Sequence, residues 1–333
     1  MRPNKTFLIV LAAVLAAALL SPTPPAAAAG KPVELMLQWT HQAQFAGYYV
    51  AAAKGIYKAH GLDVRIIAGG PGLDPMNELA DGNVDFVSAW LSTALIRREE
   101  GLPLVNVAQI VNRSNLLMIS WKDWAGGSPR DLDGRRISVW EGDFRAPYLA
   151  WLQAEGVEPA AIYPQYYSVN LFLRRGVDAC SAMYYNEYHM LYQAGVNEDE
   201  RSVFFLKDYG FGFPEDGLYC TENTIRLDRE MVAAFRAASL EGWRYAAEHP
   251  DEALDITMEY VTAANVATNR PHMKWMLEKI LTSIVPGGKD PWTLGKLARD
   301  DYEKTVQMMR GQKMLHSQPT YEAFTGEVTA RVP

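Results

Sequence analysis

Val33-Glu34-Leu35-Met36-Leu37-Gln38-Trp39 places Val33, Leu35, Leu37 and Trp39 on one face of an extended chain, the period-2 pattern of a half-buried strand. Thr40 to Gln44 reads as a loop. Phe45, Tyr48, Tyr49, Ala52 and Ile56 then follow helical spacing, which predicts a helix from about Phe45 to Ala59 with Gly61 as its stop. Leu62 to Ala68 is again strand-like, so the first forty residues of this region form a strand, a helix and a strand.

The alternation continues. Helix Pro75–Ala80, strand Val84–Val87, helix Ser92–Glu99 and strand Leu104–Val111 follow. Strands alternating with helices imply a mostly parallel sheet covered on both faces. After the breaker-rich stretch 124–129 the pattern restarts with strand Arg136–Trp140, helix Ala146–Glu155, strand Ala161–Tyr166, helix Asn170–Arg175, strand Val177–Met183 and helix Glu187–Ala194. Gly82-Asn83-Val84-Asp85-Phe86 is echoed by Gly176-Val177-Asp178-Ala179 some 94 residues later, in keeping with two similarly built α/β lobes. From Asp228 onward the chain reads as helical, punctuated by Pro250, Pro271, Pro286 and Pro291. With no third sheet visible, these helices are expected to pack back on the lobes.

The chain has 333 residues. Arg2 and Lys5 precede an apolar run of roughly fourteen residues, Phe7 to Leu20, and Ala27-Ala28-Ala29 offers a small-residue cleavage site. That run falls short of the ~20 residues a membrane-spanning helix needs, so residues 1–29 are expected to be a signal peptide cleaved near Gly30. No Cys follows the run to carry a lipid. Loss of Arg2 and Lys5 takes the formal charge from −7 to about −9, a sign that argues against nucleic acid and anionic membrane surfaces as partners. Cys180 and Cys220 lie in strand-like runs; they have the option of pairing, but buried free thiols are the favoured reading.

Several of these stretches together resemble a known family. The run Gln38-Trp39-Thr40-His41-Gln42-Ala43-Gln44-Phe45-Ala46-Gly47-Tyr48-Tyr49-Val50-Ala51, with Lys54-Gly55-Ile56-Tyr57 and Gly61-Leu62-Asp63-Val64, is similar to the opening of the NMT1/THI5-like group. Asn83-Val84-Asp85-Phe86 resembles its next landmark, and Asp131-Leu132-Asp133-Gly134-Arg135-Arg136-Ile137-Ser138-Val139 the entry to its second lobe. The resemblance spans roughly Glu34 to Thr224. It implies an α/β type II periplasmic-binding fold: two doubly wound lobes joined by two crossing strands, with the ligand cleft between them. Lobe 1 is expected over 30–115, lobe 2 over 116–217, and the return to lobe 1 with the C-terminal helices over 218–333. The resemblance also implies a periplasmic binding protein of an ABC importer, expected to be a monomer, that meets a small-molecule ligand and an inner-membrane permease. Relatives bind thiamine pyrimidine precursors, sulfonates, nitrate or riboflavin; a sensory input role remains an alternative.

In open α/β sheets ligands bind beyond the carboxyl ends of the strands. Those ends supply Trp39, Gln44 and Phe45, then Ser88, Trp90 and Ser92, then Trp140, Glu141, Gly142 and Asp143, and finally Tyr184, Tyr185, Asn186 and Glu187. Aromatic rings stack flat π-systems, and carboxylates orient ring or exocyclic N–H groups by charge-assisted bonds. The expected ligand is therefore an aminopyrimidine or similar flat heterocycle. A sulfonate or nitrate would be repelled by Glu141, Asp143 and Glu187 unless they point away. Bland readings compete: Trp39 and Trp90 as core, Glu187 as a first-turn helix acid, Arg113 as a hinge residue, His41 and His60 as surface residues. Substitutions in the cleft are expected to spare the fold.

Members of the group that make the thiamine pyrimidine resemble single-turnover enzymes using pyridoxal phosphate, iron, a histidine and a nearby lysine. Here Val84 to Ile96 contains neither Lys nor His, and Gly217-Leu218-Tyr219-Cys220-Thr221 has a single cysteine. A Schiff base needs an amine. Neither enzymatic activity nor a cofactor is expected.

Overall fold

A computed structural model describes residues 30–124, 126–141, 145–166, 168–284, 294–317 and 319–326. The expected signal peptide, Gly142, Asp143, Pro286 and Pro291 lie outside the described residues. Beginning at Lys31 the chain forms one compact unit built on two five-stranded sheets.

The first sheet holds β1 (Lys31–Met36), β2 (Leu62–Ile67), β3 (Phe86–Trp90) and β4 (Leu104–Gln109). The second holds β5 (Leu116–Trp121), β6 (Arg136–Trp140), β7 (Ala161–Gln165), β8 (Ala179–Met183) and β9 (Arg201–Phe205), and the chain then returns to the first sheet as β10 (Asp216–Thr221). The orders are β2-β1-β3-β10-β4 and β7-β6-β8-β5-β9. Parallel pairs fill one side of each sheet: β1 with β2 and β3, β6 with β7 and β8. In each sheet the fourth place is taken by a strand antiparallel to both neighbours, β10 between β3 and β4 and β5 between β8 and β9. These two strands adjoin the passages 110–115 and 206–215 that connect the lobes. Glu215 ties the passages together by accepting from Asn115 N at 2.5 Å and Asn115 Nδ2 at 3.0 Å.

The echoed Val-Asp segments do the same work in both lobes. Asp85 Oδ2 accepts from Glu34 N on β1 at 2.8 Å, and Asp178 Oδ2 accepts from Arg136 N on β6 at 2.9 Å. Each aspartate, just ahead of its sheet's central strand, thereby anchors the backbone of the parallel neighbour and helps fix the register.

Local differences from the sequence reading have physical causes. The expected helix 45–59 is broken at Gly55, whose φ of +71° is left-handed, into Ala46–Ala53 and Ile56–Ala59, with a short 3-10 turn at Ala43–Phe45 ahead of it. β1 ends at Met36, so Trp39 stands in the bend beyond it. Strands β5 and β9 had no counterpart in the sequence reading, and β10 only the strand-like run around Cys220.

The C-terminal helices do pack back on the lobes, chiefly the first, with helix Arg299–Gly311 also reaching helix Arg145–Glu155 of the second. Helix Arg229–Glu248 lies on helix Ala46–Ala53 so closely that a Cβ on Gly47 would sit 2.2 Å from Trp243 Cδ2, and one on Gly242 2.3 Å from Gly47 O. Phe235 stacks on Phe86 at 3.9 Å. On the other face of the sheet Tyr302 and Phe324 enclose Tyr219. Cys180 on β8 and Cys220 on β10 are buried and free, in different sheets. Among the described residues no helix is long and apolar enough to cross a membrane.

Candidate functional site

The carboxyl ends of β1, β3, β6 and β8 converge on one cavity of about 480 Å³. Of the residues expected there, Trp39, Gln44, Ser88, Trp90, Trp140, Glu141, Tyr185, Asn186 and Glu187 line it. Phe45, Ser92 and Tyr184 do not. Phe45 is 1% exposed and belongs to the core, because the 3-10 turn that carries Gln44 to the cavity turns the next side chain inward. Tyr184 follows from strand alternation: Met183 and Tyr185 reach the cavity, and the residue between them takes the opposite face. There Tyr184 packs edge-on against Tyr188, Phe205 and Trp275, with its carbonyl accepting from Trp275 Nε1 at 2.9 Å.

The first lobe's wall is built from amides. Gln38 Nε2 donates to Asp216 Oδ1 at 2.7 Å, Gln44 Nε2 to Asp216 Oδ2 at 2.5 Å, and Gln42 Nε2 to Gln44 Oε1 at 2.5 Å. Ser88 Oγ accepts from Gln38 N at 2.9 Å and fixes the bend after β1. Burial pushes the Asp216 carboxyl up to about 6, while the two glutamine amides pull it the other way. Asp216 enters through β10, where it pairs with Trp90 of β3.

The second lobe's wall carries a carboxylate of its own. Glu187 opens helix Glu187–Gln193 and is half-buried; its Oε2 accepts from Met183 N and its Oε1 from Asn186 Nδ2, each at 2.9 Å. Burial pushes its carboxyl up to about 7 against those hydrogen bonds. It is thus more than a first-turn acid. Asn186 Oδ1 in turn meets His272 Nε2 at 2.9 Å, and His272 Nδ1 meets His189 Nδ1 at 2.9 Å. Burial lowers His272 to about 4, so it is neutral: Nε2–H donates to Asn186 and Nδ1 accepts from His189. His272 belongs to helix Arg270–Ile284, which also packs on the turn bearing Gln44, so one helix braces both walls.

The wall's charge is one-sided. Its acidic residues are Asp74, Glu141 and Glu187, and among the described lining residues none is Lys, Arg or His. Asp74 caps helix Pro75–Ala80 through Met76 N, and Glu141 pairs with Arg145 at 3.1 Å. Glu187 is left as the acid held inside. Arg113 lies elsewhere, exposed on the passage 110–115 and lining a separate cavity of about 390 Å³ with Lys207 and Lys304. His41, expected at the surface, is half-buried and bonds Tyr49 Oη at 2.9 Å. Gln38, Gln42, Asp74, Met76, Thr93, Gln165 and Met183 join the lining unanticipated. Gln38 and Gln42 lay within reach of the strand-end rule; Asp216, behind the wall, had no local signal.

Residues 42–253 match the family described as NMT1/THI5 like. The chain belongs to that family. A formylaminopyrimidine-binding protein of Halalkalibacterium halodurans is 27% identical over 277 residues, covering 78% of this chain and 81% of the relative. A riboflavin-binding protein, RibY, of Chloroflexus aurantiacus is 26% identical over 321 residues, covering 92% and 88%. Among solved structures, the periplasmic aliphatic sulphonate binding protein SsuA from Escherichia coli superposes with a TM-score of 0.64 at 12% identity, over 86% of this chain and 94% of that one. This NMT1/THI5-like chain therefore has the type II periplasmic-binding fold.

Proposed function

We propose that this chain is an exported, periplasmic substrate-binding protein of an ABC importer that captures a small flat heterocycle through its N–H groups. A thiamine pyrimidine precursor of the aminopyrimidine class is the first choice. The observation that carries this reading is the wall of the 480 Å³ cavity: five aromatic residues, Trp39, Trp90, Trp140, Tyr166 and Tyr185, with an inward carboxylate, Glu187, and no cationic side chain among its described residues. Aromatic faces match a flat ring, and a carboxylate bearing on ring or exocyclic N–H groups fixes its orientation. The volume lies within the usual range for small-molecule sites.

Riboflavin is the second reading, favoured by the RibY relative and by a flavin's flat ring with an N–H of its own. A sulfonate fits the wall poorly, since an anion here meets Glu187 without a counter-charge. Catalysis through pyridoxal phosphate is disfavoured because no lysine stands among the described lining residues; purified protein should show no aldimine absorbance with pyridoxal phosphate.

Ligand would dock on one wall and the lobes close over it, the ligand acting through its greater affinity for the closed state. The closed monomer then presents both lobes to an inner-membrane permease. Calorimetric titration with 4-amino-2-methylpyrimidine derivatives, riboflavin and taurine tests the reading. Tight binding of a pyrimidine or flavin supports it, and tight taurine binding indifferent to Glu187→Gln overturns it.

A further inference from the structure

We infer that Asp216, from behind the first lobe's wall, locks the amides of Gln38 and Gln44 with their N–H groups turned away from the ligand, so that this wall selects ligands by the donors they bring. The inference deepens the heterocycle reading above and rests on it for the identity of the cavity. Asp216 is a positioning residue: Gln38 and Gln44 line the cavity and Asp216 does not.

A buried carboxylate dictates how its neighbours turn. Ionised, it only accepts. An amide beside it must offer its N–H₂, because the flipped amide would set oxygen against oxygen. Gln38 and Gln44 each give Nε2 to one Asp216 oxygen, at 2.7 and 2.5 Å, so both orientations are set by one group. The setting spreads outward, since Gln44 Oε1 takes an N–H from Gln42 at 2.5 Å. Asp216 is itself held firmly. Its backbone oxygen accepts from Ile110 N and Val111 N at 2.9 Å and from Gln109 Nε2 at 3.0 Å. Gln38 Oε1, the other end of a locked amide, is buried with no hydrogen-bond partner among the described residues. A buried acceptor left unmatched is costly, so a ligand N–H that reaches Gln38 Oε1 as the lobes close is favoured beyond an ordinary solvent-exposed bond. A site built this way discriminates sharply against an analogue that lacks the donor.

Two measurements on the full mature chain test this. Side-chain amide NMR, with resonances assigned through Gln38→Met and Gln44→Met, should show two glutamine N–H₂ groups protected from exchange and coupled across hydrogen bonds to the Asp216 carboxylate carbon. Freely exchanging, uncoupled amides overturn the lock whatever the ligand proves to be. Calorimetry with 4-amino-2-methylpyrimidine and its 4-dimethylamino analogue should show wild type preferring the amino compound by at least tenfold. Asp216→Asn, which lets one glutamine flip, should reduce that preference about tenfold. A merely structural role would weaken both ligands equally and leave the ratio unchanged, and that result overturns the inference. If wild type ignores both pyrimidines, lumiflavin and 3-methyllumiflavin replace them. Discrimination there that collapses in Asp216→Asn overturns the pyrimidine assignment and sustains the lock; an unchanged flavin ratio overturns the lock.

Discussion

Asp85 in the first lobe and Asp178 in the second pin equivalent strands through equivalent backbone bonds, at 2.8 and 2.9 Å, and the strand orders around them correspond place for place. The walls these frames carry toward the cavity do not correspond. In the first lobe the buried carboxylate, Asp216, stands behind the wall and orients glutamines. In the second the carboxylate, Glu187, is part of the wall. The frame repeats because register depends on the backbone and on one acid per sheet. The walls diverge because strand-end residues contribute little to register and are free to serve a ligand. If the comparison is right, the second lobe reads a ligand's N–H groups with charge and the first with neutral amides.

The largest expected effect follows from that difference. Glu187→Gln replaces a charge-assisted acceptor with an amide that brings an N–H toward a donor ligand, at about 2–3 kcal/mol, or roughly thirty- to a hundred-and-fiftyfold in affinity. The corresponding first-lobe change, Gln44→Met, removes one neutral amide while Asp216 keeps its Gln38 donor, leaves the ring contacts in place and should cost less; calorimetry on both variants ranks the walls. pH supplies a second handle on the same residue. Glu187 is raised to about 7, so below that pH the free protein holds a proton there that a neutral N–H ligand must expel. Affinity should rise with pH to about 7, by at most tenfold per unit, then level, and Glu187→Gln should flatten the profile. Stability without ligand has the opposite sign. A carboxyl raised from 4.5 to about 7 on folding contributes stability below about pH 4.5 that is lost as pH rises through 7.

Next come the rings. Trp39→Ala should lose about 1–3 kcal/mol of stacking, roughly five- to a hundred-and-fiftyfold in affinity, with little change in Tm because Trp39 is only half-buried. The expectation that all cleft substitutions spare the fold needs correction. Trp90 and Tyr185 are 7% and 3% exposed and belong to the central core, so truncating either costs stability as well as binding. A thermal melt beside each titration separates the two losses.

What the sequence made legible divides along the same lines. The parallel half of each lobe was readable: helix Pro75–Ala80 and strand Arg136–Trp140 occur at their expected bounds, because periodicity and caps are local. Of the strands whose partners are all antiparallel, only β4 was, as Leu104–Val111. Leu116–Trp121 is a uniformly buried run without alternation, and Asp216–Thr221 opens with an acid and a glycine, poor strand formers. Their places are set by pairing with strands up to a hundred residues or more away. Asp216 is hidden for this reason, since its role depends on β10 lying against β3. Tyr184 was misread because four consecutive polar and aromatic residues look alike until the strand's two faces are separated.

Packing gives a smaller contrast between the lobes. Gly47→Ala forces a methyl to within 2.2 Å of the Trp243 ring in a helix seam of the first lobe, and overpacking of that kind costs about 1–3 kcal/mol. Gly176→Ala in the second lobe meets Leu171 Cδ1 at 2.5 Å, but Leu171 is 43% exposed and its side-chain tip can move; the cost should stay below ~1 kcal/mol. Equal losses in denaturant melts would mean that the seam yields and is not what anchors the C-terminal helices.

The smallest effect asks whether the two lobes open together. Each sheet holds one buried thiol, and burial pushes both well above the usual cysteine range, so neither should react while the protein is folded. Labelling therefore reports opening. Cys220 lies in the large core cluster that includes side chains from both sheets, so its exposure requires global unfolding. Cys180 lies in a smaller cluster with Leu117, Ile119 and Phe172 on one face of the second sheet. In single-cysteine variants Cys180 should label some three- to tenfold faster, with the shallower dependence on urea that a partial opening exposes. Ligand sharpens the distinction. It raises the free energy of global unfolding by mass action and should slow Cys220 by that full factor, while slowing Cys180 only as far as its opening disturbs β8, whose end carries Tyr185 and Glu187 to the cavity. Identical rates, urea slopes and ligand effects at the two thiols would show that the second lobe has no opening of its own, and that the walls, different as they are, stand on a single cooperative unit.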